Sequence, residues 1–183
     1  LILASDIGPG NKLLDEYCQK MFNQDFDKDG LLASKGKILS NLVDTWKKFK
    51  FLKECFPISY DNFFFKLENF IQSNKLGCYD ILRTLTFFSA YTIFSVNKRI
   101  KKKIDKWIFC GGGTSNKVLM KDLTNLIGKD KLFLTEDFGL DPFFIESQAF
   151  AFISVRTLKE LPSTFPETTG CSKSTVSGVK FEP

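Results

Sequence analysis

Apolar residues recur at helical spacing through most of the chain, interrupted by two short runs that read as strands. Leu13, Leu14, Tyr17, Cys18 and Met21 fall on one face of a helix over 11–22. A second helix is predicted over 34–51. The pattern breaks between Pro57 and Asp61 and resumes over 62–73, where Phe63, Leu67, Phe70 and Ile71 are in register. A long helix is predicted over 78–105, apolar at Ile81, Leu82, Leu85, Phe88, Tyr91, Ile93 and Phe94 before it turns basic. These segments read as a helical cap or lobe.

Strand signals flank a different arrangement. Ile2 to Ala4 leads into the glycine turn Asp6-Ile7-Gly8-Pro9-Gly10-Asn11, and Trp107 to Cys110 into Gly111-Gly112-Gly113-Thr114-Ser115-Asn116. After the second turn, Leu119, Leu123, Leu126 and Ile127 share one helix face, and a short strand is predicted over 131–134. Strand, turn, helix and strand in succession indicate an α/β segment. Asp141 is placed as an N-cap with Pro142 at the first helical position, opening a helix that is apolar on almost every side and therefore expected to be buried. A Pro- and Thr-rich loop follows over 161–170, with a closing strand over 175–181.

Composition narrows the chemistry. At 183 residues the chain is expected to form one domain with a substantial core. It begins at Leu1 with no basic, apolar leader, so it reads as a piece cut from something longer rather than as a signal-led protein. The longest apolar stretch, 85–96, falls short of the roughly 18 residues of a membrane span. Five scattered cysteines with no CxxC pair disfavour a disulfide framework and a zinc site and fit a reducing cytoplasm. Histidine is absent, which removes Ser/His/Asp and Cys/His mechanisms and leaves carboxylates, Lys and Tyr as bases. The net charge of +5 comes largely from Lys47-Lys48-Phe49-Lys50 and from the run Lys98 to Lys103. Both are read as solvated helix faces rather than nucleic-acid contacts, since no stacking aromatics accompany them.

Both glycine turns are shaped to let backbone N–H groups approach an anion or nucleotide, and the second opens a helix whose N-terminus adds positive partial charge. Asp6, at the end of the first apolar run, is either an ordinary turn residue or a general base beside a phosphate held by Gly8, Gly10 and Asn11. Gly111, Gly112 and Gly113 form either a flexible connector or the floor under a nucleotide, with Asn116 a local cap or a ligand contact. Glu146, the only acid between Asp141 and Glu160, reaches solvent, complements the helix dipole or meets a polar ligand.

Four segments taken together, ASDIGPGNKLLDEY (4–17), WIFCGGGTSNKVLMKDL (107–123), GLDPFFIESQAFAFISVRTLKELPSTFPETTG (139–170) and SGVKFEP (177–183), resemble in order and spacing the C-terminal half of anhydro-N-acetylmuramic acid kinases. PISYDNFFFKLENF (57–70) and DILRTLTFFSAYTIFSV (80–96) resemble the family's middle segments, so the similarity spans the chain. The resemblance implies an α/β, ribonuclease-H-like C-terminal lobe of the actin-like ATPase and sugar kinase superfamily, carrying a helical insertion, with the N-terminal lobe absent. It divides 1–183 into a largely helical segment over 18–105 and an α/β nucleotide-binding segment over 106–183.

By the same resemblance the activity is ATP-dependent opening of the 1,6-anhydro ring by water with phosphorylation of O6, in cytoplasmic recycling of cell-wall sugars. Asp6 matches the catalytic acid, Gly8, Gly10 and Asn11 the phosphate motif, Gly111 to Gly113 with Asn116 the nucleotide motif, and Glu146 a sugar-contacting carboxylate. ATP and Mg2+ are the implied cofactors, with no metal ligand assigned in this chain. The implied partners are the sugar, the missing lobe with its DGTS-type phosphate loop, and a second copy in a homodimer, with neither nucleic acid nor membrane. Ile7 stands where the family's phosphate motif has Thr, and half a cleft by itself is expected to give little rate. A non-catalytic nucleotide-binding remnant of the same fold is the alternative.

Overall fold

The longest helix organises the rest. The computed structural model describes residues 2–61, 64–71, 76–100 and 102–181, with helices α1 (Lys12–Phe22), α2 (Ser40–Trp46), α3 (Cys78–Arg99), α4 (Lys117–Ile127), α5 (Ile145–Leu158) and α6 (Pro166–Thr169) and strands β1 (Trp107–Phe109) and β2 (Leu132–Leu134). Short 3-10 turns join them. The result is a mixed α/β chain in which, among the described residues, the sheet has two parallel strands. They pair Trp107 with Leu132, Ile108 with Phe133 and Phe109 with Leu134, and α4 crosses between them.

α3 is buried on two sides. Ile81, Leu82, Leu85 and Phe88 enter a core with Leu13, Leu14, Tyr17, Trp46, Phe51 and Phe70, where the Trp46 and Phe88 rings meet edge-on at 5.3 Å. On the opposite side Ala90 packs with Leu119, Leu123 and Ile127 of α4. The buried hydroxyls between these faces are satisfied within the helix: Thr86 donates to the Leu82 carbonyl, Thr92 to Ser89 and Ser95 to Thr92. A bidentate ion pair ties the two helices, Arg83 Nη1 and Nη2 reaching the Asp122 carboxylate at 2.6 and 2.7 Å.

Several expectations are corrected. The helix predicted over 34–51 is broken into a 3-10 turn at Ala33–Lys35, α2, and a second turn at Lys50–Lys53. Tertiary contact overrides propensity here. Lys37 N–H donates to Asp80 Oδ1 and Leu39 N–H to Thr84 Oγ1, drawing the backbone extended along α3. Gly36 lies so close that a Cβ would sit 2.1 Å from the Tyr79 carbonyl oxygen. α3 stops at Arg99, six residues before the predicted end, where like charges spaced one turn apart disfavour its continuation. Lys101 of that run lies outside the described residues, as do 62, 63, 72 and 73 of the helix predicted over 62–73. The remainder of that helix is a 3-10 turn, Leu67–Asn69. Ile2 to Ala4 forms no strand, and the closing strand reduces to one antiparallel bridge between Thr164 and Thr175.

The largest departure is α5. It begins at Ile145 rather than at Pro142, Asp141 instead closing a turn by accepting the Phe143 N–H, and no residue of it is buried. Phe143 and Phe144 ahead of it and Phe150, Phe152, Val155 and Leu158 within it are all exposed. The all-round apolar pattern is expected to mean an interior helix; among the described residues no element covers it.

Candidate functional site

α3 carries the first glycine turn. Ser89 Oγ–H donates to the Gly10 carbonyl at 2.8 Å, and Gly8 presses so tightly on the helix that a Cβ would come within 2.7 Å of Thr92 Oγ1. Gly10 takes a positive φ of 56°, and the chain then enters α1. The Asn11 side chain forms no cap on α1. It points toward the second turn, where a Cβ on Gly113 would lie 3.3 Å from Asn11 Nδ2.

The two turns therefore meet. Asn11, Gly112, Ser115 and Asn116 line one cavity of 260 Å³, whose other wall is acidic through Asp15, Asp25, Asp27 and Asp29. Asp27 is already committed, its two oxygens accepting the N–H groups of Leu32 and Ala33. Asn116 is both cap and lining: Oδ1 accepts from the Val118 and Leu119 N–H groups at the start of α4, which leaves its NH2 group as the donor available to a ligand. Gly111, with φ 82°, makes the turn that admits Gly112 to the cavity. Gly8, Gly10, Gly111 and Gly113 shape the backbone around this space without lining it.

Burial raises the pKa of Asp15 above the ordinary carboxylate value. Its charged form thus costs stability when folded, and that cost is absent below the unfolded-state pKa and grows as pH rises through the folded one. Asp15→Asn is expected to melt higher than the parent at pH 7 and level with it near pH 3, as thermal scans at the two pH values would read. A lower melting temperature at pH 7 would contradict this.

Asp6 faces a second cavity, of 490 Å³, lined also by Ser5, Ser59, Thr168, Thr169 and Gly170. Asp6 is exposed, and its carboxylate Oδ2 accepts the Tyr60 N–H at 2.8 Å while its own N–H donates to the Ile58 carbonyl at 2.9 Å. Ser5 Oγ accepts the Ile58 N–H at 2.8 Å. The acid is thus held by backbone on one oxygen and opens to the cavity that Ser5, Ser59, Thr168 and Thr169 also line. Glu146, in the first turn of α5, is exposed and lines neither cavity. So the structure brings Asn11, Gly112 and Asn116 together, sets Asp6 beside them on the same loop but in its own recess, and leaves Glu146 apart.

Thr168, Thr169 and the Tyr60 loop were not singled out from the sequence. The segment Pro166-Glu167-Thr168-Thr169-Gly170 reads as a generic turn, and only the fold places it opposite Asp6. Tyr60 itself has its phenol pushed up to about 12, by burial first and then by its hydrogen bond to Glu54.

The family model described as anhydro-N-acetylmuramic acid kinase matches residues 2–183. Curated relatives carrying that name include proteins of Neisseria meningitidis serogroup C, 32% identical over 180 residues, and Vibrio cholerae serotype O1, 33% identical over 186. A third, from Methylorubrum populi, is 31% identical over 186 residues. These alignments cover 96%, 100% and 100% of this chain but 49%, 50% and 47% of the relatives, so the chain spans about half their length. On this evidence, the chain belongs to the anhydro-N-acetylmuramic acid kinase family.

Proposed function

We propose that this segment is the C-terminal, ribonuclease-H-like lobe of a cytoplasmic sugar kinase, its helical part over 18–105 buttressing an α/β nucleotide-binding part over 106–183. The reaction is ATP-dependent conversion of anhydro-N-acetylmuramic acid to the 6-phosphate. Asp6 takes a proton from water as the water oxygen bonds to C1, the C1–O6 bond breaks, and O6 takes the γ-phosphoryl group with ADP leaving. The observation that carries this reading is the meeting of Asn11 with Gly112 and Asn116 at one cavity, on the same loop that presents Asp6.

The acidic wall of that cavity suits a nucleoside, whose ribose hydroxyls and exocyclic amine are donors, better than it suits phosphates. The phosphates then extend along Gly8 to Asn11, toward Asp6. Thr168 and Thr169 lie where the acceptor sugar would stand. Glu146 joins the sugar only across the cleft that the other half of a relative's length would complete, and that half would also cover α5. Mg2+ accompanies ATP in this reading. Among the described residues no group of three or more His, Cys, Asp or Glu side chains could hold a metal ion. Nor is any helix among them long and apolar enough to cross a membrane.

Gly112 offers a clean test, because a Cβ there meets nothing within 4 Å and its φ is not positive. Gly112→Leu is expected to leave the melting temperature unchanged while filling the cavity, weakening ATP binding by the full-length gene product at least about tenfold, a loss of roughly 1.4 kcal/mol. Calorimetric titration measures it. Undiminished affinity in the folded variant would remove the nucleotide from this cavity.

A further inference from the structure

The basic run after Ser95 reads from sequence as a solvated face, yet one member departs from it. Arg99, the last residue of α3, turns inward: its terminal nitrogens Nη1 and Nη2 are shielded from solvent, its charge acts on the Tyr60 phenol, and its guanidinium carbon lies 3.9 Å from the centroid of the Phe56 ring. Its Nε–H donates to the Glu54 carbonyl at 3.1 Å.

What it holds is the loop from Glu54 to Tyr60. The Tyr60 hydroxyl donates to Glu54 Oε2 at 3.0 Å, closing the loop on itself, and the far end of the loop grips Asp6. Two backbone hydrogen bonds make that grip, Tyr60 N–H to Asp6 Oδ2 and Asp6 N–H to the Ile58 carbonyl, with Ser5 Oγ bridging at Ile58 N–H. Asp6 is exposed and owes its orientation to this loop rather than to burial. The loop in turn is fastened to the rigid core through Arg99 of α3.

We infer that Arg99 is a positioning residue that clamps the Glu54–Tyr60 loop and thereby aims the Asp6 carboxylate, a role that rests on the reading of Asp6 as the base. The guanidinium over the Phe56 ring is the fastening, and an ammonium of the same charge does not reproduce that contact together with the Nε–H bond to Glu54. Because α3 also anchors Gly8 through Thr92 and Gly10 through Ser89, one helix sets the base and the phosphate turn in a common frame.

The test is Arg99→Gln, with Arg99→Lys beside it. Amide hydrogen exchange on the chain is expected to speed up at Tyr60 and Asp6 by about tenfold or more, with the amide of Phe88 in the core of α3 unchanged as the control for folding. In the full-length gene product kcat is expected to fall roughly 10- to 100-fold, with KM for ATP held within about twofold. Arg99→Lys recovers only part of either loss. Unchanged exchange at both amides overturns the inference, and so does loosened exchange with undiminished kcat. Asp6→Asn in the same assay separates the two readings. Full turnover in that variant removes Asp6 as the base, whereas the exchange result speaks to the clamp alone.

Discussion

Replacing Asp6 by Asn is expected to lower kcat for sugar 6-phosphate formation by roughly 100- to 10,000-fold, the range for loss of a positioned general base. The substitution is chosen for what it keeps. An asparagine carbonyl still accepts the Tyr60 N–H that now meets Oδ2, and the Asp6 N–H still reaches Ile58, so the loop stays in place while basicity is lost. ATP affinity should hold, because Asp6 does not line the cavity shared by Asn11 and Gly112. Product assays on the full-length gene product, parent against variant at saturating ATP, read the effect. Turnover matching the parent would leave Asp6 as a turn residue, the bland reading its sequence context also permits.

The second large effect concerns stability. Asp122→Ala is expected to destabilise the fold by about 3–5 kcal/mol, since it strands the Arg83 guanidinium between α3 and α4. The Arg83 and Asp122 side chains are only 15% and 7% exposed, so water cannot replace the missing carboxylate. Removing both charges tells the attraction apart from the cost of burial. Arg83→Met with Asp122→Leu should recover most of the loss, because a well-packed apolar pair is often as stable as the buried ion pair it replaces. Urea denaturation of the parent and the two variants measures this. A loss under about 1 kcal/mol for Asp122→Ala would mean that the pair behaves as a surface bridge.

Local signals sufficed where local physics decides. α4 and the strands on either side of it were legible because Leu119, Leu123 and Ile127 repeat at helical spacing and Asn116 caps the turn that a glycine run introduces. The region 34–51 was not, because Asp80 and Thr84 on α3 capture its backbone N–H groups from more than forty residues away. No window of sequence contains that competition. Asp6 and Asn11 stand out in the sequence as candidates, but their separation into two recesses depends on how Gly8 and Gly10 seat against Thr92 and Ser89. Arg99 was hidden for the opposite reason. Its neighbours Lys98, Lys102 and Lys103 are solvated, and charge composition cannot distinguish the one side chain that folds back over Phe56.

The apolar pattern of α5 reads as that of a buried helix, and the described residues of this chain do not bury it. Phe143, Phe144, Phe150, Phe152, Val155 and Leu158 present their hydrocarbon to water. Such a stripe makes the isolated polypeptide a poor colloid: molecules are expected to self-associate through it, so a melting midpoint recorded for the segment alone shifts with protein concentration, and parent and variant compare only at one concentration. Whatever sheathes that stripe in the cell is for this reason a condition of solubility before it is a condition of turnover.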